Sequence, residues 1–166
     1  TQLEVPLDVT LHCLKVANKH GLINILNPAP ACELSNDFFG LIDYFTPNES
    51  EASFYVSGEI KNHEDANKYA REILDLGVKN VVITLGDSGV YFQNNTRNHF
   101  EPALKLGEKV VDTSGAGDAF NGAFATALCE NKDVIEAIKF ANVFAGISTT
   151  RIGTANSMPK RDEIDK

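Results

Sequence analysis

Between residues 64 and 95 the chain changes its apolar period, and that change limits its folds more than any other feature. EDANKYAREILDLG, residues 64–77, repeats apolar positions at helical spacing and stops at a glycine. KNVVITLGDSGVYFQNN, residues 79–95, then has the pattern of a buried strand, a glycine turn and a second strand. The same alternation runs elsewhere. Residues 6–20 carry Leu7, Val9, Leu11, Leu14, Val16 and Ala17 on an imperfect helical stripe ending at Gly21. LINILNPAP is a short strand closed by prolines, ELSNDFFGLI a short helix, and DYFTPNESEA a strand entering a turn. Asn48 is placed to cap the next helix, with Glu49 and Glu51 in its first turn. Residues 97–112 suggest a hairpin region. A helix from Ala116 to about Glu130 and a second one in DVIEAIKFANVFAGISTTR complete the order, with no internal repeat. Strands alternating with helices of about 10–15 residues predict an α/β layered fold, a mostly parallel central sheet flanked by helices.

Such sheets hold ligands at the carboxyl ends of their strands. The rule selects Asn27, Asn48, residues 84–86 and residues 112–118, each where a strand gives way to a loop. The last of these is VVDTSGAGDAFNGAF, residues 110–124, in which a GAGD opens a helix directly after a strand. Gly115 and Gly117 let backbone approach a ligand, and the free N–H groups of a first helical turn favour an anion. A plain tight turn uses the same glycines. Asp118 separates the readings, because a carboxylate beside an anion site is costly unless it handles a proton or a metal. It suits a general base taking a hydroxyl proton in line with a phosphoryl group, whose growing charge the amides would stabilise. No GxxxxGK[ST] is present, so this is not a P-loop.

Composition narrows the classes. Of 166 residues, 43% are hydrophobic and 23% charged, as in a soluble globular domain. The net charge of −8 argues against a nucleic-acid partner, though not against a nucleotide. No apolar run approaches the roughly 20 residues of a membrane span, and the N-terminus lacks the features of a signal peptide. Cys13, Cys32 and Cys129 are widely spaced with no CxxC, which predicts reduced core thiols in a cytoplasmic protein. The histidines, His12, His20, His63 and His99, have no ligand spacing. The single methionine, Met158, leads to the expectation of a processed product or an excised piece.

VVDTSGAGDAFNGAF resembles the C-terminal signature of the ribokinase-like (PfkB) family of sugar and nucleoside kinases, DTxGAGD. QLE at 2–4, NPAPA at 27–31, TPNESE at 46–51, TLGDSG at 84–89 and TRIGTANSMP at 150–159 resemble the family in order and spacing. The likeness spans essentially all of residues 1–166. It implies the C-terminal nucleotide-binding and catalytic part of the fold, with the N-terminal half and its lid absent. The implied reaction transfers the γ-phosphoryl of ATP to the 5-hydroxyl of a sugar, with D-ribose favoured by QLE and NPAPA.

The likeness also implies roles. Asp118 matches the catalytic base, and Ser114, Gly115, Ala116 and Gly117 the anion hole. Asn48 and Glu51 match the NxxE motif that orders Mg2+ and the phosphates. Thr84, Gly86 and Gly89 fall in the ATP-binding loop, and Asn142 near the adenine. Asp112, Ser114, Ser148, Arg151, Gly153 and Ser157 match a loop that holds K+, mostly through carbonyls. Glu4 matches a sugar-contacting glutamate. The full-length family member is expected to be a homodimer, and the 166-residue chain alone is expected to be inactive.

Each residue also has a plainer role. Asn48 can be only a cap, Glu51 a solvated acid, Glu4 a surface carboxylate, and Arg151 a complement to a helix dipole. The alternatives for the whole are another sugar or nucleoside kinase of the family, or a non-catalytic nucleotide-binding module. An intact Asp118 within GAGD disfavours the latter.

Overall fold

The computed structural model describes residues 1–105 and 110–164. Among them five strands form one sheet in the order β1 (Ile25–Leu26), β2 (Tyr44–Phe45), β3 (Asn80–Thr84), β4 (Gly89–Asn94), β5 (Asn98–Pro102). β1 and β2 are parallel, with Ile25 opposite Tyr44, and so are β2 and β3, with Phe45 opposite Val81. β3 and β4 are antiparallel, Thr84 facing Val90. The sheet is therefore α/β in setting and mixed in direction. The reversal follows from the turn at Leu85–Gly89. Leu85 N–H donates to the Gly89 carbonyl at 2.8 Å, and Gly86 and Gly89 take φ of +51° and +123°, which side chains with a Cβ rarely adopt.

The chain divides into two compact units, residues 1–100 and 101–166. In the first, α4 (His63–Asp75) buries Ala66, Ala70, Ile73 and Leu74, the stripe its sequence predicts, and Asn62 caps it by accepting from Asp65 N–H at 2.9 Å. Phe45, Leu26, Ile42, Val81 and Ile83 are fully buried, with Phe39 and Tyr55 set edge-on around Phe45. Residues 1–3 run beside β1 in parallel register: Thr1 donates to Ile25 O, Asn27 to Thr1 O, and Leu3 to Ala29 O, at 2.9, 3.0 and 3.0 Å.

α1 (Leu7–Lys19) departs from its expected stripe. It buries Thr10 and Leu14, while Val9 and Val16 remain 47% and 43% exposed. The stripe was imperfect because its apolar residues occupy two faces, and only one meets the core. The expected core thiols are also corrected: Cys13 and Cys129 are exposed and Cys32 half-buried, all three free. Cys13 lies off the Thr10–Leu14 line and Cys129 is the last residue of its helix, so neither position faces a core.

The second unit is a helical hairpin, α5 (Ala116–Cys129) and α6 (Val134–Ser148), joined by residues 130–133. Asp133 caps α6 through Ile135 N–H at 2.9 Å. Phe124, Ala127, Ala137, Ile138 and Ala141 close the contact between the helices. α7 (Arg161–Ile164) is tied back by Arg161, which donates to Glu130 at 2.7 and 3.1 Å and lies over the Phe140 ring. Of the hairpin expected over 97–112, β5 forms, and residues 106–109 lie outside the described residues.

Candidate active site

The nominated residues form two groups, one in each unit. In the first unit the group is centred on α3 (Glu49–Phe54). Asn48 adopts extended backbone and its Oδ1 accepts from Glu51 N–H at 2.9 Å, while Glu51 Oε2 accepts from Asn48 N–H at 2.9 Å. This reciprocal capping box fixes both side chains of the NxxE stretch in one geometry. A parallel bridge joins Asn48 to Thr84, and Thr84 N–H donates to Pro47 O at 3.0 Å. The cap is thereby locked to the end of β3, where the 84–89 turn begins. A Cβ added to Gly86 would stand 3.4 Å from Glu49 Oε1, so the glycine keeps this turn close to the acidic helix start.

That corner concentrates negative charge. Burial raises the Glu49 carboxyl above its ordinary range, and neighbouring Asp87 adds to the shift. Burial likewise raises Glu51, against the lowering effect of the Asn48 N–H, with Glu49 as a further cause. Two half-buried acids held together this way gain from a cation. Among the described residues no group of three or more His, Cys, Asp and Glu is placed to hold a metal ion by itself. The donor set suits a hard ion that keeps waters and phosphate oxygens in its shell. Glu49 is the residue that motif reasoning passed over. Its position in the first helical turn, one residue after the cap, was the available signal.

In the second unit the GAGD stretch opens α5 as expected. Gly115 has φ +75°, and a Cβ there would meet Thr154 Cγ2 at 3.2 Å. No side chain caps the helix end. A Cβ on Gly117 would meet nothing within 4 Å, so packing among the described residues does not demand the bareness of that position. The Ala116 N–H turns back to Thr113 O at 3.2 Å. Asp118 is exposed in the first turn.

Asp112 organises the loops beside that helix end. Its Oδ1 accepts from Ser114 N–H at 2.9 Å and its Oδ2 from Gly153 N–H at 3.0 Å. These two backbone N–H groups hold its carboxyl below the ordinary aspartate range, that of Gly153 most strongly. Gly153 itself has φ +100°. Ser148 and Ser157 are buried, and their hydroxyls donate to Ala145 O and Thr154 O at 2.7 and 2.6 Å. The Arg151 guanidinium pairs with Glu163, so this residue offers the loop only its backbone. Asn142 Nδ2 donates to Pro102 O at 2.8 Å, which ties α6 to the end of β5. Glu4 is exposed beside buried Leu3.

The model of the pfkB family carbohydrate kinases matches residues 1–161. A ribokinase of Haemophilus influenzae is 40% identical over 162 residues, 98% of this chain and 52% of that protein. A deoxyribokinase of Salmonella typhi is 36% identical over 166 residues, covering 99% of this chain and 54% of the relative. The crystal structure of a Thermotoga maritima ribokinase superposes with a TM-score of 0.85 at 41% identity, covering 99% of this chain and 54% of that one. An Arabidopsis thaliana ribokinase complexed with ribose and ATP gives 0.92 at 30% identity over 98% and 53%. The chain thus spans about half the length of the relatives it matches.

Proposed function

Because the chain belongs to the pfkB family of carbohydrate kinases, we propose that it supplies the catalytic half of an ATP-dependent sugar kinase acting on the 5-hydroxyl of D-ribose. The observation that carries this reading is Asp118 on the uncapped first turn of α5, directly after the positive-φ Gly115. The carboxylate accepts the proton of the acceptor hydroxyl as that oxygen bonds to the γ-phosphorus and the bond to the ADP oxygen breaks. The products are ribose 5-phosphate and ADP, and the proton then leaves Asp118 for solvent. In the glycine turn of Ser114–Gly117, where Ser114 and Ala116 N–H bond to Asp112 Oδ1 and Thr113 O, the Gly115 and Gly117 N–H groups stabilise charge on the moving phosphoryl. The 84–89 loop and Asn142 belong to the nucleotide side of the same reading, and Glu4 to the sugar side.

Two cations fit the residues present. Asn48, Glu49 and Glu51 would hold Mg2+, which would offset phosphate charge in the complex. The ionised Asp112, with carbonyls of Ser114, Ser148, Arg151, Gly153 and Ser157, would hold K+ and stiffen the loop beside α5. Free cysteines go with a reducing, cytoplasmic setting, and no helix among the described residues is long and apolar enough to cross a membrane. Homodimerisation is assigned to the complete fold. The deoxyribokinase match over this same span favours a second reading, a related sugar kinase, with acceptor choice made largely outside this half.

The test joins this chain to the N-terminal half of the Haemophilus influenzae ribokinase in one polypeptide. Ribose-dependent ATP consumption is expected, faster in K+ than in tetramethylammonium. Asp118→Asn is expected to lower kcat by about 10²–10⁴ with nucleotide affinity nearly unchanged. Turnover by the Asn variant at the parent rate would remove Asp118 from the reaction. The 166-residue chain alone is expected to phosphorylate ribose negligibly, since too few groups orient the acceptor.

A further inference from the structure

The loop that follows α6 has no packed core of its own. None of residues 149–156 is buried, and Ile152 stands 79% exposed. Two ties fasten the loop to residues 111–112. Val111 and Asp112 N–H donate to Thr149 O at 2.8 and 3.1 Å, and Gly153 N–H donates to Asp112 Oδ2 at 3.0 Å. Between them lies Arg151, whose guanidinium reaches forward to Glu163 on α7. Its Nη2 donates to Oε2, and its Nη1 to Oε1 at 3.4 Å. Glu163 Oε1 also accepts from Lys160 N–H at 2.7 Å.

This pair differs from the ion pairs at the surface. Its side chains are 37% and 33% exposed, against 59% and 61% for Arg71 and Asp75. A two-pronged guanidinium–carboxylate contact with part of its water removed holds geometry better than a solvated pair. α7 is anchored as well by Arg161, which donates to Glu130 and covers the Phe140 ring. The stretch from Arg151 to Glu163 is thus a closed ring of loop, clasped to the hairpin of α5 and α6.

We propose that Glu163 is a positioning residue for the cation loop: through Arg151 it fixes a carbonyl that faces the ion and cancels a charge that would repel it. This assignment rests on the K+ site proposed above. Carbonyls hold an alkali ion only while their separations stay fixed, and Arg151 supplies one from the middle of an unburied stretch. The same residue carries a full positive charge. Its guanidinium lies one side-chain length from that carbonyl, within the Debye length of about 8 Å at physiological ionic strength. Without a counter-charge it would oppose a second cation there. Glu163 meets both demands with a single carboxylate. Partners of ligand residues commonly set affinity in this way, without touching the ion.

The test reads K+ binding without nucleotide, sugar or turnover. Thermal unfolding of the 166-residue chain is followed in rising KCl, with tetramethylammonium chloride keeping the ionic strength constant. The rise of Tm with K+ gives the half-saturating concentration. Glu163→Gln keeps an acceptor for Lys160 N–H but loses the charge, and it is expected to raise that concentration about tenfold. Hydrogen exchange at Gly153 N–H is expected to quicken in the same variant. Adding Arg151→Gln removes the uncompensated charge and is expected to recover part of the lost affinity. Glu163→Asp, with the charge kept and the reach shortened, is expected to fall between parent and Gln variant, and it decides the matter if the latter fails to fold. A merely structural role for Glu163 would lower Tm equally in both salts and leave half-saturation in place, which overturns the proposal. So does an added Arg151→Gln that recovers nothing. A parent chain whose Tm ignores K+ removes the cation site itself, and this proposal with it. A K+-sensitive parent matched by its Glu163 variants sinks this proposal alone.

Discussion

Two helix starts in this molecule are built in opposite ways. α3 is closed by its own side chains: Asn48 and Glu51 each satisfy the other's backbone N–H. α5 begins with glycine in the left-handed region and no side-chain cap. The capping box engages the N–H groups of Asn48 and Glu51, and what that end presents is carboxylate, with Glu49 and Glu51 pushed up by burial. An end without a cap presents backbone N–H and the positive pole of the helix. On the proposed reading the first suits a cation and the second an anion, and capping chemistry makes that difference.

The strongest way to break that contrast is at Gly115. Gly115→Ala forces a Cβ into φ +75° and toward Thr154 Cγ2 at 3.2 Å. A loss of about 2 kcal/mol in urea denaturation is expected from the left-handed strain together with this contact. Gly117→Ala is the counterpart, because its Cβ meets nothing. It should leave stability unchanged or slightly improved while lowering turnover of the joined enzyme. A destabilisation equal to that at Gly115 would show that both glycines serve only the turn.

A smaller effect is expected at the closed end. Asn48→Ala removes the acceptor for Glu51 N–H and should cost about 1 kcal/mol by the same measurement. A cost near zero would mean that the bridge from Asn48 to Thr84, not the cap, holds α3 in place.

The smallest effect is a pH dependence. Burial raises the folded pKa of Glu51, so its contribution favours the fold below the ordinary carboxyl pKa and is lost as pH rises through the folded value. Glu51→Gln keeps an acceptor for Asn48 N–H but has no charge to bury. Its Tm relative to the parent should climb as pH goes from about 3 to 7. A relative Tm that falls over that range would show the ionised carboxylate to be stabilising there.

Local signals were the legible ones. The stripe of α4, the cap at Asn48 and the helix start at GAGD each depend on residues within a turn of one another. Positions decided by distant partners were not legible. Thr10 is buried and Val9 exposed because of where α1 meets the core. Nothing near Asn142 in sequence announces its bond to Pro102, 40 residues away. The glycine turn at 85–89 did predict a returning strand, and that strand makes a largely parallel sheet a mixed one. β1 and β2 are each only two residues long, too short for alternation to show. In the site, the identity of Asp112 was visible, but its grip on Gly153 was not.

That grip sets an order of assembly. The hydrogen bond from Gly153 N–H to Asp112 spans 41 residues and encloses both long helices of the second unit. Val111 and Asp112 N–H close the same loop on Thr149 O at 2.8 and 3.1 Å, and the entropic cost of closing so long a loop is best met once the helices inside it have paired. The turn around Gly115 is therefore among the last parts of the unit to settle and among the first to loosen. A chain that is nearly folded carries the GAGD sequence without the shape that gives it meaning.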